Sequence, residues 1–168
     1  MEKTRSTTVI LFAFRLIPLG LRRALFKAIF GLFYHVSAKQ RLIALHNIKN
    51  SFPEKSMEEV EGIAKGVFRH IGIVAAEFFE LPSITKENLH EWVVVEGLEH
   101  VEEGEKQGKG LLSIIGHFGN WELMPVSFPL VGYQTNVVYR PLDSPVMDNL
   151  ASWVRTKNGN TLIPKGGS

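Results

Sequence analysis

The apolar residues of this chain change their spacing part-way along the sequence. Over residues 57–81 they recur at helical intervals, as Val60, Ala64 and Val67 illustrate. From residue 92 onward, short β-branched runs alternate with polar, helix-like segments. A helical N-terminal region followed by alternating strands and helices predicts the α/β class, with helices packed on a mixed sheet.

Local signals set the limits of the individual elements. Ser56, with Glu59 three positions later, forms a capping-box pattern at the start of one helix. Helices are predicted at residues 8–34 (with a break near Pro18), 38–51, 57–81, 98–107, 121–130 and from 145 to at least 154. Strands are predicted at residues 92–96, 111–115, 134–139 and from 161, and the run at 111–115 is apolar enough to be a buried strand. Because the sequence ends in a turn directly after a strand, we expect the domain to be incomplete at its C-terminus.

Positive charge is concentrated in the first third of the chain. The formal net charge is only +2, yet nine Lys and Arg residues precede residue 51 against one acidic residue, Glu2. Such a basic segment favours an anionic partner. Its interspersed phenylalanines favour a bilayer surface over nucleic acid, and no uncharged apolar stretch is long enough to span the bilayer. We therefore predict that residues 1–35 form amphipathic membrane-associating helices, and that residues 36–168 belong to the catalytic domain.

The predicted N-terminal helices have distinct polar and apolar sides. At about 100° per residue, Arg15 and Arg22 share one face, and Arg23 and Lys27 lie to one side of it. The charges therefore occupy an arc and leave the opposite side to Ile17, Leu21, Leu25 and Ala28. Two interpretations are compatible with this pattern. One is an interfacial helix on a membrane, and the other is a helix that packs its apolar side on a core and leaves its basic side in water.

Several kinds of chemistry are excluded or disfavoured by composition. The chain contains no cysteine, which excludes disulfides, thiolate catalysis and cysteine-based metal sites. The histidines other than His117 show no metal-ligand spacing, so no metal or cofactor is predicted. The glycines of residues 104–110 are followed by no Gly-Lys-Ser/Thr sequence, which argues against a phosphate-binding loop.

The strongest candidate for chemistry is His117. It follows the predicted strand at residues 111–115 by one glycine, and such strand ends are where α/β folds place their sites. Glu122, five positions later, begins the next predicted helix and can converge on the imidazole of His117. A carboxylate on one ring nitrogen leaves the other free to accept a proton, and amides at the helix start can meet an anionic group. The spacing alone is equally compatible with a histidine that caps the helix, while the negative charge of Glu122 interacts favourably with the positive end of the helix dipole.

The residues around His117 resemble a known family. Gly116-His117-Phe118-Gly119-Asn120-Trp121-Glu122 resembles the His-x4-Asp/Glu block of the bacterial lipid A biosynthesis acyltransferases. Three further segments resemble that family's blocks in the same order: Asn47-Ile48-Lys49-Asn50-Ser51-Phe52-Pro53, Val138-Tyr139-Arg140-Pro141-Leu142 and Leu162-Ile163-Pro164-Lys165. Members of the family are considerably longer, so the resemblance identifies this chain as an N-terminal portion with a glycerolipid acyltransferase-like fold.

The resemblance implies a reaction and a set of roles. Acyl carrier protein would carry the acyl chain as a thioester, and a hydroxyl of a lipid A precursor would accept it by direct transfer. His117 would be the general base and Glu122 its partner. Arg140 and Arg155 would hold phosphate groups, although either arginine can equally be a surface residue with its stem packed on the sheet. Asn120 would contact substrate or, more simply, cap the helix.

The family resemblance also implies a location at the cytoplasmic face of the bacterial inner membrane. Two alternatives to lipid A acylation remain open. One is an acyltransferase that acts on another glycolipid or on a phospholipid. The other is a truncated, non-catalytic relative that binds lipid or membrane.

Overall fold

A computed structural model describes residues 3–166, and its contacts divide the chain into two compact units. The first, Thr4–Glu80, is called the helical unit below. The second contains Leu81 and the residues that follow it and is called the α/β unit. The functional division predicted at residues 35 and 36 concerns membrane association and stays a prediction.

Four helices make up the helical unit, all of whose residues are described. They are α1 (Arg5–Arg15), α2 (Leu19–Val36), α3 (Ala38–Ser51) and α4 (Met57–Phe78). The predicted break at Pro18 is confirmed, because α1 ends before it and α2 begins directly after it. Proline has no N–H to donate and fixes its own φ, so it fits the start of α2 better than the interior of one longer helix.

The predicted capping box at the start of α4 is confirmed. The amide of Glu59 donates to Ser56 Oγ at 3.2 Å, and the amide of Ser56 donates to Glu59 Oε2 at 2.8 Å. The hydrogen bonds from the Ser56 amide and hydroxyl, followed by the charge of Lys55, lower the pKa of Glu59. The box satisfies amides that would otherwise lack a partner in the first turn, and so defines where α4 begins.

Helices α2 and α4 run antiparallel and approach most closely at Gly72. A Cβ added there would lie 2.5 Å from the carbonyl oxygen of Phe26, so only glycine permits this crossing. Further along the pair, Tyr34 packs against Ala64 and Phe68 in a buried apolar cluster, and α3 contributes partly buried residues to it. This cluster and the close crossing hold α2 along α4.

Arg22 of α2 is fully buried, with 0% of its surface exposed. Its Nη1 donates to the carbonyl oxygen of Phe14 at 2.8 Å, in the last turn of α1, and its Nη2 donates to Glu80, just beyond α4. The neighbouring Arg23 donates from Nε to Glu77 Oε1 at 2.8 Å. Two bases of α2 therefore pair with the acidic end of α4, Arg22 out of contact with water and Arg23 with 42% of its side chain exposed.

Whereas aromatic residues of α2 such as Tyr34 pack toward α4, one apolar side of the helix is exposed. Its large apolar residues lie within an arc of about 80° and are all more than two-fifths exposed: Leu21, Leu25, Ile29, Leu32 and Val36. We call this arc the apolar stripe. The interpretation in which α2 packs on a core is thus confirmed at Tyr34, which is buried against α4, but Leu21 and Leu25 are exposed and Arg22 is buried, contrary to it.

Among residues 3–166, no helix combines the length and the apolar character that crossing a bilayer requires.

The described part of the α/β unit contains three helices and two strands. They are α5 (Leu98–Lys106), α6 (Leu123–Leu130), β1 (Asn136–Tyr139), α7 (Pro145–Thr156) and β2 (Thr161–Pro164). Short 3-10 turns occupy Leu81–Ser83 and Leu89–Glu91. The predictions of a helix at residues 98–107, a short helix before residue 130, a helix from residue 145 and strands at residues 134–139 and from 161 are confirmed, with ends that differ by a few residues.

Two predicted strands are absent from the structure. Residues 92–96 and 111–115 form no hydrogen-bonded strand, and the second run is exposed instead of buried, with Leu112 at 91% and Ile114 at 92%. A β-branched run becomes a strand only where another strand accepts its backbone hydrogen bonds. Within the part of the chain that the structure describes, β1 and β2 pair with each other and neither pairs with these runs.

The sheet has two parallel strands among the described residues, with Asn136 beside Thr161 and Tyr139 beside Pro164. Helix α7 connects the strands and packs against β2, while Val126, Leu150 and Val154 are buried in this unit. A parallel pair requires such a crossover. The chain is thus mostly helical with a small parallel sheet, consistent with an α/β fold, and the predicted mixed sheet is not present in residues 3–166.

We predict that Glu80→Ala destabilises the helical unit by about 3 kcal/mol or more, because it leaves the buried guanidinium of Arg22 without its counter-charge. Urea unfolding followed by circular dichroism measures the effect. Glu61→Ala is the matched control, since it removes an exposed i, i+4 pair with Lys65 and should cost less than about 0.5 kcal/mol. Equal losses in the two variants would contradict the assigned role of Arg22.

Candidate active site

Glu122 is the buried carboxylate of the predicted site. It occupies the N-cap position of α6 and is 8% exposed. Its carboxylate accepts from Trp121 Nε1 at 3.2 Å, from Arg155 Nε at 2.9 Å and from Arg155 Nη2 at 2.5 Å. A carboxylate held by both nitrogens of a guanidinium fork is fixed in position and orientation.

Arg155 of α7 contacts Glu122 and so joins α7 to the start of α6. Burial acts to lower the pKa of Arg155, but the hydrogen bonds and negative charge of Glu122 outweigh it, with Asp148 and Tyr139 acting in the same direction, and the pKa is raised overall. The two site residues predicted from separate segments, Glu122 and Arg155, are therefore in direct contact. Since Arg155 uses its fork on Glu122, a phosphate contact for this arginine stays a prediction.

Asn160 fixes the elements around this pair. Its Oδ1 accepts from the amide of Thr135 at 3.0 Å, and its Nδ2 donates to the carbonyl oxygen of Arg155 at 3.1 Å and to that of Pro125. One buried amide thus connects the end of α7, helix α6 and the segment before β1. Its donors and acceptor are satisfied by main-chain groups, which makes it a specific structural clamp.

His117 lies in a tight, exposed turn. The amide of Phe118 donates to the carbonyl oxygen of Gly116 at 2.9 Å, and Gly119 has φ +59°, in the left-handed region that glycine enters without strain. The imidazole contacts the Trp121 indole, with ring centroids 5.2 Å apart and planes inclined by 49°. The predicted loop position of His117 is confirmed, whereas the buried strand that was to precede it is absent.

His117 and Glu122 do not touch directly in this structure, since neither a hydrogen bond nor an ion pair joins these two described residues. Trp121 stands between them, with its ring against His117 and its N–H on Glu122. The arrangement is therefore a series of contacts from His117 through Trp121 and Glu122 to Arg155. An exposed imidazole can exchange protons with a substrate, and the buried carboxylate sets the local field.

The remaining predicted residues, Arg140 and Asn120, make no side-chain contact that joins them to this pair among the contacts described for residues 3–166. Arg140 directly follows β1 and makes an exposed ion pair with Asp143 at 3.1 Å, a contact that solvent largely screens. Asn120 is half-buried, and its carbonyl oxygen accepts from the amide of Leu123. The N-cap position of α6 belongs to Glu122 and not to Asn120.

The first amides of α6 already have partners. Leu123 N donates to the carbonyl oxygen of Asn120 at 3.1 Å, and Met124 N donates to that of Trp121 at 3.3 Å. In this conformation they are not available to an anionic group, contrary to the prediction from the helix start. The cation that pairs with the Glu122 carboxylate is the side chain of Arg155.

Two residues of the site were not predicted from the sequence. Trp121 is half-buried and contacts both His117 and Glu122. Asn160 carried one usable signal, since an asparagine between Gly159 and a strand is a common turn residue. Its bonds to Thr135 and Pro125 depend on tertiary contacts that no local pattern reveals.

We predict that Arg155→Ala destabilises the α/β unit by about 3 kcal/mol, because the buried Glu122 carboxylate loses its counter-charge and two hydrogen bonds. Arg140→Ala, which removes an arginine from an exposed pair, should change stability by less than about 0.5 kcal/mol. Urea unfolding monitored by tryptophan fluorescence compares the two. A smaller loss for Arg155→Ala than for Arg140→Ala would show that the Glu122 pair is not structural.

Comparison with known proteins gives a consistent result. Residues 6–168 match the family described as bacterial lipid A biosynthesis acyltransferase. The chain is 28% identical over 132 residues to the lipid A biosynthesis lauroyltransferase of Escherichia coli K12, which covers 76% of this chain and 42% of that protein. It is 28% identical over 140 residues to a lipid A biosynthesis acyltransferase of Haemophilus influenzae, which covers 80% and 43% respectively.

A third relative is the lipid A biosynthesis palmitoleoyltransferase of Escherichia coli K12, 27% identical over 123 residues, which are 71% of this chain and 37% of that protein. The matched regions thus make up about two-fifths of the length of these relatives. No solved structure matches the chain significantly. Because the family match extends over nearly the whole sequence and includes the His117–Glu122 segment, the chain belongs to the bacterial lipid A biosynthesis acyltransferase family.

Proposed function

We propose that this protein transfers a fatty acyl chain from an acyl-carrier-protein thioester to a hydroxyl of a lipid A precursor, with His117 as the general base. The observation that carries the proposal is an exposed imidazole connected through Trp121 to a buried, oriented carboxylate, within the block that resembles the family's His-x4-Asp/Glu motif. The names of the relatives support the same substrate class. The proposal includes a glycerolipid acyltransferase-like fold for the complete domain.

The proposed reaction is a direct transfer. His117 accepts the proton of the acceptor hydroxyl as the hydroxyl oxygen attacks the thioester carbonyl carbon. The tetrahedral intermediate collapses, the carbon–sulfur bond breaks, and the thiolate takes the proton from the imidazolium. The products are an ester and a free carrier thiol, and the sequence contains no cysteine that would hold the acyl group between the two steps.

Glu122, held by Arg155, is the proposed partner for the positive charge that forms on His117 during the reaction. Burial beside Arg155 keeps Glu122 in a fixed orientation, and the Trp121 indole separates its carboxylate from the imidazole in the free protein. We propose that Glu122 stabilises positive charge on His117, either across Trp121 or after the exposed turn moves toward it. Fixed charges near a reaction centre act without further reorganisation.

Arg140 and Asn120 are the proposed substrate contacts. Arg140 is exposed, and its pair with Asp143 is weak enough to be exchanged for a phosphate group of the acceptor or donor. Asn120 is three positions after His117 in the same block, and we propose that its side chain contacts the acceptor bound at His117. Arg155 remains a second candidate for a phosphate contact, should substrate displace Glu122 from its fork.

We predict that His117→Ala lowers acyl transfer by about 100- to 10,000-fold, the usual contribution of a general base. The assay follows transfer of a labelled acyl group from acyl carrier protein to lipid A precursor, to another glycolipid and to phospholipid acceptors. Because the His117 side chain is exposed and its ring contacts Trp121 at the edge of the site, the substitution should leave the free energy of unfolding nearly unchanged.

His70→Ala is the matched control, because it removes an exposed histidine from α4, outside the proposed site. It should retain the wild-type rate. Full activity of His117→Ala would contradict the proposed mechanism, whereas the absence of transfer by the wild-type chain to every acceptor would favour the truncated, non-catalytic alternative. Transfer only to a different glycolipid or to a phospholipid would retain the mechanism and replace the acceptor.

We further propose that the protein attaches to the cytoplasmic face of the bacterial inner membrane through residues 1–35. Exposed apolar residues of α1 and its end, such as Phe12 and Leu16, and the apolar stripe of α2 support this attachment. A helical surface of this kind is stable at the boundary between lipid headgroups and acyl chains. Since Arg22 and Arg23 are paired within the protein, apolar contact supplies most of the proposed attachment.

We predict that the double variant Leu21→Glu, Leu25→Glu binds neutral phosphatidylcholine vesicles at least about tenfold more weakly than the wild type, because two apolar contacts are replaced by charges. Sedimentation with vesicles measures the binding. The control Leu142→Glu, Val146→Glu adds the same charge at exposed apolar residues of the α/β unit and should bind normally. Equal loss in both variants would contradict attachment through the apolar stripe.

A further inference from the structure

A groove with basic side chains lies along the helical unit between α2 and α4. It has a volume of about 510 Å³, and its cationic or donor side chains are Lys27 and His35 of α2 and Arg69 of α4. No carboxylate of the described residues lines it. Unlike Arg22 and Arg23, these three side chains form no ion pair with any residue in the described range 3–166.

The two helices themselves create this groove. They are closest at Gly72 and Phe26 and leave a depression one turn further along, where Gly31 faces Arg69. A Cβ at Gly31 would lie 3.5 Å from Arg69 Cγ, so the missing side chain provides the space in which the guanidinium lies. Unpaired cations around an open depression attract an anion, and an arginine fork suits phosphate geometry.

The apolar stripe runs beside the groove. Ala28 and Leu32 line the groove. On the surface of α2 they are neighbours of Leu25 and Ile29, which are exposed members of the apolar stripe. A ligand that fills the groove and covers the adjoining surface must therefore carry an anionic head and an apolar body. This is the chemistry of an anionic phospholipid at a bilayer surface, where the headgroup phosphate lies just above the acyl chains.

We propose that Lys27, Arg69 and His35 bind the headgroup phosphate of an anionic phospholipid while the apolar stripe lies among its acyl chains. The inference rests on the proposed membrane attachment and adds a defined headgroup site to it. Most of the bases near the start of α2 are engaged with Glu77 and Glu80, so the groove supplies the preference for anionic lipid.

The test compares vesicles of phosphatidylcholine with vesicles that also contain phosphatidylglycerol. Wild-type protein should bind the anionic vesicles more tightly, and Lys27→Ala, Arg69→Ala should reduce that gain by about tenfold or more, since each base near an anionic surface contributes measurably. Binding of the same variant to pure phosphatidylcholine should be unchanged. Lys39→Ala, Lys106→Ala has the same net charge but alters exposed bases outside the groove, and should retain most of the gain.

A second variant tests the shape of the site without changing its charge. Gly31→Leu places a side chain in the groove beside Arg69, and leucine favours the helix more than glycine does, so the helical unit should stay folded. The gain from phosphatidylglycerol should fall in this variant too. A gain that survives both Gly31→Leu and Lys27→Ala, Arg69→Ala would overturn the proposed site.

Further outcomes distinguish a lipid headgroup from free phosphate or carrier protein as the ligand of the groove. They also distinguish failure of the groove inference from failure of the proposed membrane attachment. Full competition by millimolar inorganic phosphate at constant ionic strength, or loss of carrier-protein binding instead of vesicle binding in Lys27→Ala, Arg69→Ala, would overturn the lipid assignment. Wild-type binding to phosphatidylcholine without any gain from phosphatidylglycerol would overturn the groove inference alone. Failure to bind either vesicle would overturn the membrane attachment and the groove together.

Discussion

The burial of Arg22 determines how the helical unit is arranged. A guanidinium is stable away from water only when its charge and its donors have partners, and here Glu80 and the Phe14 carbonyl supply them. These contacts join the end of α1, the first turns of α2 and the end of α4. With Arg22 held against α4, the apolar stripe, which begins at Leu21 about 100° away around the helix, is exposed.

The surface of the helical unit follows from that orientation. The apolar stripe is exposed because another side of α2 faces α4, through ion pairs at one end and aromatic contacts such as that of Tyr34 with Phe68 along the rest. The bases that lie beyond the reach of Glu77 and Glu80, including Lys27 and Arg69, have no counter-charge among the described residues and line the groove. The proposed membrane attachment and the proposed headgroup site are therefore two consequences of one packing arrangement.

The α/β unit uses a second arginine–carboxylate pair for a different purpose. Arg155 and Glu122 join the start of α6 to α7, and Asn160 adds the segment before β1. Through these contacts the carboxylate is fixed while His117 stays exposed in its glycine turn. A fixed charge beside an accessible base is what proton transfer to and from a hydroxyl requires.

Sequence patterns predicted most helices well, because capping, proline breaks and helical periodicity are local. Ser56 with Glu59 and the break at Pro18 are examples. The His117–Glu122 block, together with three further segments in the same order, was enough to indicate the family. The runs at residues 92–96 and 111–115 were wrongly predicted as strands. Their β-branched residues satisfy strand preference, but a strand also needs a partner, and preference cannot supply one.

By itself the sequence determined which residues are chemically capable and which segments form helices. Only the tertiary structure decided how they are paired: Arg22 with Glu80, Glu122 with Arg155, and Trp121 between His117 and Glu122. The physical reason is that periodicity defines two sides of a helix but not which side is buried. On α2, Arg22 is buried because Glu80 pairs with its charge, although a charged side chain usually faces water. Arg22 and Glu80 are 58 positions apart in sequence, so local spacing cannot reveal that they pair.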